Sequence, residues 1–182
     1  MSCMKSRLLL AMIGHHVDTP PGRDQAARRQ ETSPSNFSEA EMDLSNVSAP
    51  VFGRSLSGFG VNLLVRDVTR HVAFLAQVFE MQVHRSSRDY AILGYQGHLV
   101  QLHADHTYHS NPLPSLLPEA GPRGAGAELR LFGTDPDRAA DLAAQAGGSV
   151  LHPATDKPHG LREAFILDPD GYVWVPSLPL PD

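Results

Sequence analysis

Between Gly58 and Pro176 the apolar residues follow two periods, and the order of those periods occurs twice. In GFGVNLLV (58–65), Val61, Leu63 and Val65 alternate onto one side, which predicts a strand. Over Thr69–Phe79 the spacing turns helical, with Val72, Leu75, Val78 and Phe79 along one face and Thr69 as the expected N-cap. Short strands are predicted over Gln82–Ser86, Asp89–Gly94 and His98–Ala104, with Gln96-Gly97 turning the chain between the last two. A Pro-rich stretch, 111–126, then intervenes. Afterwards the order returns. Glu128–Phe132 reads as a strand, and Asp135 and Pro136 open a helix faced by Ala139, Leu142, Ala143 and Ala146. Gly147-Gly148 closes that helix, and Ser149–His152, Glu163–Leu167 and Tyr172–Pro176 are three more strands. DPDG (168–171) joins the last two as a tight turn, which makes turn residues rather than catalytic groups of Asp168 and Asp170. The chain thus holds two βαβββ units of about sixty residues each.

Residues 1–55 lack this patterning. From Thr19 to Pro50 the chain is rich in Pro, Ser, Asn, Gln, Glu and Ala, too polar to offset its ordering entropy by burial. Lys5 and Arg7 before the short apolar run Leu8–Ile13 give a faint signal-peptide pattern without a small-x-small cleavage site. A disordered extension, or initiation near Met42, is the favoured reading. The expected organisation is therefore an extension over 1–55 and one domain over 56–182, with module one at 58–110, the linker at 111–126 and module two at 127–178.

Composition narrows the function. The 182 residues are 41% apolar, enough for a core, and no apolar run approaches the roughly 20 residues of a membrane span. The net charge of -5 argues against a nucleic-acid partner. One cysteine, Cys3, excludes a disulfide framework and a cysteine zinc cluster, and suits a reducing, cytoplasmic setting. Neither a phosphate-cradling glycine loop nor a Gly-x-Ser-x-Gly elbow is present.

The tandem units, with GVNLLVRDVTRHVAFL (60–75) opening the first and AFILDPDGYVWV (164–175) closing the second, resemble the vicinal oxygen chelate superfamily. That group includes glyoxalase I, extradiol ring-cleavage dioxygenases, fosfomycin-resistance enzymes and bleomycin-resistance proteins. The resemblance covers about residues 58–178. It implies an α+β fold in which two tandem βαβββ modules form one cup-shaped curved sheet, with helices on the convex face. Strand alternation assigns the cup. Gly60, Asn62 and Leu64 of the first strand, Leu99, Gln101 and His103 of the fourth, Glu128 and Arg130 of the fifth, and Val173 and Val175 of the eighth would face it. Trp174 and Tyr172 would face the helices. Tyr90 and Ile92 share a face that alternation leaves open.

The family's metal ligands map onto Gly60, Gln101, Glu128 and Val175, of which only Glu128 is an ordinary ligand for a divalent cation. The resemblance therefore implies a metal-free small-molecule binder, similar to bleomycin-resistance proteins. The expected ligand-binding residues are Asn62, Leu64, Leu99, Gln101, His103, Glu128, Arg130, Val173 and Val175. The alternative is a metal-dependent lyase or ring-cleavage dioxygenase with one divalent ion at a displaced site using His103, Glu128 and a further histidine. In HADHTYH, His106 and His109 follow His103 at three-residue intervals, and His152 and His159 lie further on; all four are read first as solvated residues. Glu128 is the candidate catalytic group, a base if burial raises its pKa, while Glu128 with Arg130 fits an anchoring site and a structural ion pair equally. The expected partner is a small organic molecule, with neither nucleic acid nor membrane. A monomer and a homodimer, common among relatives of this size, both remain open.

Overall fold

A computed structural model describes residues 43–124 and 126–181. The repeat appears as two modules with the same order of elements. A short helix α1 (Ala49–Ser55) precedes module one, which comprises β1 (Val61–Val65), α2 (Val68–Phe79), β2 (Gln82–Ser86), β3 (Tyr90–Tyr95) and β4 (His98–Ala104). Two single turns of 3-10 helix, Asp105–Tyr108 and Leu113–Leu116, lie in the connection. Module two comprises β5 (Glu128–Phe132), α3 (Pro136–Gln145), β6 (Ser149–Asp156), β7 (Leu161–Leu167) and β8 (Val173–Pro179).

Each module makes a four-stranded sheet, in the orders β1-β4-β3-β2 and β5-β8-β7-β6. The first strand pairs parallel with the fourth, so Asn62 lies beside Gln101 and Arg130 beside Val175. One hydrophobic core serves both sheets. It takes Leu63, Val65, Leu93, Val100 and Leu102 from the first sheet and Leu131, Ala164, Ile166 and Trp174 from the second, with the apolar faces of α2 and α3 between. The alternation read from β1, β4, β5 and β8 therefore holds, and each sheet turns its other face away from the shared core.

Local chemistry fixes the ends of these elements. Asp135 caps α3 by accepting the backbone N–H groups of Asp137 and Arg138. The cap of α2 is Asp67 rather than Thr69: the helix begins at Val68, and the Asp67 carboxylate accepts the Arg70 N–H. Gln96 (φ 45°) and Gly97 (φ 78°) turn the β3–β4 hairpin, and such paired left-handed conformations match the twist of the strands. β6 runs four residues past the expected His152 despite Pro153. It is an edge strand, where a missing ladder donor costs little, and its pairing shifts register on either side of His152.

The DPDG turn closes with a Gly171 N–H to Asp168 C=O bond of 3.0 Å. Its carboxylates also hold the modules together. Asp168 accepts the N–H groups of Asp170, Tyr172 and the Trp174 indole at 2.9–3.0 Å, and lies 3.2 Å from the buried His71 of α2. Asp170 accepts the backbone N–H and guanidinium of Arg66. Arg123, its side chain 4% exposed, makes a two-pronged bond to Asp105, donates to the Leu64 carbonyl and lies 3.7 Å from Asp170.

The unstructured segment expected up to residue 55 ends too late. Ala49–Ser55 is helical and Phe52 is buried, because this segment has a partner surface that composition does not show. The remainder of that expectation, residues 1–42, lies outside the described residues. Among the described residues no helix is long and apolar enough to cross a membrane.

Candidate functional site

The predicted site residues divide between two surfaces. On the outer face of the first sheet, strand register sets Asn62 and Ile92 on either side of Gln101, and Leu64 and Tyr90 on either side of His103. This settles the face of Tyr90. The Tyr90 hydroxyl donates to Gln101 Oε1 at 2.8 Å. His103 lies between two phenols, with ring centroids 4.6 Å from Tyr90 and 5.2 Å from Tyr108. Tyr108, in the 3-10 turn after β4, accepts a hydrogen bond from Asn62 Nδ2.

The electrostatics of this face are simple. Burial pushes the Tyr90 phenol up to about 12, against the opposing charge of Arg85. Burial also lowers the pKa of His103. At neutral pH the face therefore offers the protonated Tyr90 phenol, an uncharged imidazole, the Tyr108 hydroxyl and two amides, with the Arg85 guanidinium towards the β2 edge. Such a surface stacks on planar groups and hydrogen-bonds to their edges.

The outer face of the second sheet is charged. The Arg130 guanidinium bridges Glu128, at 3.2 Å, and Glu163. Glu163, on β7, is 3% exposed and also meets His159 Nε2 at 3.1 Å. Burial pushes the Glu163 carboxyl up, but the hydrogen bonds from His159 and Arg130 and their charges outweigh it and hold the pKa below the ordinary carboxylate value. Aromatic rings border the cluster: Arg130 stands over Phe132 and Lys157 over Phe165, both at 5.4 Å. Phe132 is 55% exposed.

Several expectations change here. Glu128 is 47% exposed and faces a cation, so the burial that would make it a base is missing; the buried carboxylate is Glu163. Leu64 and Val175 point outward as predicted, but at 1% and 0% exposure they offer a ligand no surface in this conformation. Asn62, Leu99, Gln101 and His103 remain accessible on the first sheet, and Glu128, Arg130 and Val173 on the second. His106 bonds to Asp89 and His152 to the Pro153 carbonyl; His159 is more than half exposed, as its reading as a solvated residue expects, and also completes the Glu163 cluster.

The displaced metal site is not assembled. His103 and Glu128 lie on separate sheets whose outer faces diverge from one core. Among the described residues no three His, Cys, Asp or Glu side chains gather as a metal site would require. The family-style positions fit no better. Gly60 and Val175 carry no donor, Gln101 Oε1 already accepts from Tyr90, and Glu128 is engaged by Arg130. This donor set does not fit a divalent ion within one chain.

Residues 60–175 match the model of the Glyoxalase/Bleomycin resistance protein/Dioxygenase superfamily. The chain belongs to that superfamily. Solved structures agree in fold. A glyoxalase/bleomycin resistance protein/dioxygenase family enzyme from Burkholderia phytofirmans PsJN is similar with a TM-score of 0.56 and 21% identity, over 66% of this chain and 96% of that one. A glyoxalase-related enzyme from Fulvimarina pelagi gives 0.54 and 18%, over 68% and 88%. No curated protein matches the chain. Within the superfamily's plan, this member places phenols, amides and an imidazole beside Arg85 on one sheet and the Arg130, Glu128, Glu163 and His159 cluster on the other.

Proposed function

We propose that this superfamily member binds a small organic molecule without a resident metal ion, in cups completed by a second copy of the chain. The carrying observation is that the two polar outer faces diverge from one core, so neither can serve as the opposite wall of the other within a monomer. In a two-fold dimer, the module-one face of one copy can meet the module-two face of its partner, giving two equivalent cups. Each cup would then combine Asn62, Gln101 and His103 with Arg130, Glu163 and Phe132. Such a lining suits a planar ligand that carries hydrogen-bonding groups at one end and a charge at the other. The donor chemistry of Gly60, Gln101, Glu128 and Val175 supports the metal-free reading.

Two measurements test it on the full chain. Light scattering after gel filtration should give twice the monomer mass, and a small-molecule thermal-shift screen should find compounds that raise the melting temperature. The protein is then offered manganese, iron, nickel and zinc in turn and analysed for metal. A monomer that no compound stabilises would defeat the proposal. Stoichiometric metal lost on mutating His103 and Glu128 to Ala would replace it with a metal-dependent lyase or dioxygenase.

A further inference from the structure

The chain before β1 is anchored on the outer-face side of module one. Arg85 is opposite Ile92 in the β2–β3 pairing, so it shares the outer face with Tyr90 and Gln101. Its guanidinium donates to the Val47 carbonyl at 3.2 Å. Val47 is thereby tied to the β2 edge, while Val61 begins β1 at the opposite edge. Between them the chain must traverse three strand spacings, about 14 Å. The core-side face is filled by α2, which leaves the outer face as its path. Burial agrees. Phe52 is 7% exposed yet outside the main core, and the outward-facing Leu64 and Ile92 are each 1% exposed and equally outside it.

This covering is weakly held. α1 has seven residues, shorter than a helix that persists unaided, and Ser48 provides no side-chain cap. Phe52 is its one buried residue. Gly53 has no packing reason to be glycine: a Cβ there would meet nothing within 4 Å, and its φ is not left-handed. We infer that α1 is a releasable strap that occupies the module-one face and must swing off it, Phe52 first, before a ligand reaches Leu64 and Ile92. This rests on the reading of that face as half of a binding site. Apparent affinity then scales with the released fraction, as for any site whose competent state is minor.

The test compares full-length wild type, Phe52→Ala and Gly53→Ala. Hydrogen exchange over 49–55 reports release, and titration with anilinonaphthalene sulfonate (ANS) reports access to the apolar face. Phe52→Ala should speed exchange over 49–55 on the order of tenfold or more and tighten ANS binding, with protection of β3 and β4 unchanged. Gly53→Ala stabilises the helix and should slow exchange and weaken ANS binding by about two- to five-fold. Opposite shifts in the two variants support the strap. Equal ANS affinity in all three proteins, or loss of β3 and β4 protection in Phe52→Ala together with an unresponsive Gly53→Ala, overturns it and leaves the proposed function standing. Absence of ANS uptake by all three, despite the expected exchange pattern, counts against both.

Discussion

Arg130→Ala should convert Glu163 from an asset into a liability, in a way that pH exposes. In the native chain this 3%-exposed carboxylate faces Arg130 and His159, and their combined pull holds its pKa below the ordinary value. Such a group stabilises the fold above its unfolded pKa, and the contribution is lost as pH falls through the folded pKa. Without Arg130, burial becomes the dominant influence and the folded pKa rises above the unfolded one. The sign then reverses: protonated Glu163 favours folding at low pH, and the benefit is lost as pH rises through the new folded pKa. Removing one partner of a buried pair costs about 3–5 kcal/mol. Arg130 is 31% exposed and His159 remains, so solvent screening and the residual partner reduce the expected cost at pH 7 to about 2–3 kcal/mol. For a domain of this size that lowers the melting temperature by roughly 6–12 °C. Thermal melts from about pH 4 to about pH 8 should show the gap between wild type and variant narrowing towards acid. Glu163→Gln in the Arg130→Ala background should recover part of the loss at pH 7. A pH-independent gap, or no recovery, would refute this account of the cluster.

Three further outcomes are expected. Asp168→Asn puts an amide NH2 against donors that the carboxylate now accepts; it should cost about 2–4 kcal/mol and alter the fluorescence of Trp174, the sole tryptophan, while unchanged emission and stability would contradict the assigned bonds. Gly171→Ala meets a double penalty, since φ is +83° and a Cβ would lie 2.4 Å from Pro122 Cα; chemical denaturation should show a loss of at least about 2 kcal/mol. Arg123→Met removes a buried guanidinium from Asp105 and Asp170 and should cost about 2–4 kcal/mol, with faster hydrogen exchange in both the Asp105–Tyr108 turn and the DPDG turn; exchange confined to one of them would deny the link between modules.

The strand and helix order was legible because each element announces its period and each break carries a suitable residue. Asp135-Pro136 opens α3, Gln96-Gly97 turns β3 into β4, and DPDG turns β7 into β8. The expected cap Thr69 gives way to Asp67, a residue type that caps helices equally well; the Arg70 N–H, three residues after Asp67, identifies it. α1 was illegible for a different reason. Its single large buried residue makes no periodicity, and its order derives from the burial of Phe52 and from Arg85 of the distant β2 holding the Val47 carbonyl. Glu163 was within reach. It stands beside Ala164 in a strand whose Ala164 and Ile166 face the core, so the alternation applied to β1, β4, β5 and β8 would have placed it outward on β7 as well. The pairing of His103 with Glu128 exceeded what alternation can deliver: it says which face a residue occupies, and not which sheet that face meets.

The most recognisable segment of the chain explains the fold better than the chemistry. Asp168 and Asp170 resemble a catalytic carboxylate pair, yet the contacts of their carboxylates are to backbone N–H groups, the Trp174 indole, His71, Arg66 and Arg123. They join the β7–β8 turn of module two to α2 and to Arg66, just after β1, of module one, and so fix the common core from which the outer faces diverge. A signature of that kind can persist while the residues of the faces change, because its work is done on the opposite side of the sheets. Membership in the superfamily therefore constrains architecture strongly and reaction weakly. The outer faces carry the distinction: phenols, amides and an imidazole beside Arg85 on the first sheet, and a buried carboxylate between an arginine and a histidine on the second. A ligand touching both would meet rings, amides and Arg85 on one side and the arginine–glutamate–histidine cluster on the other, and its identity is to be sought in that asymmetry.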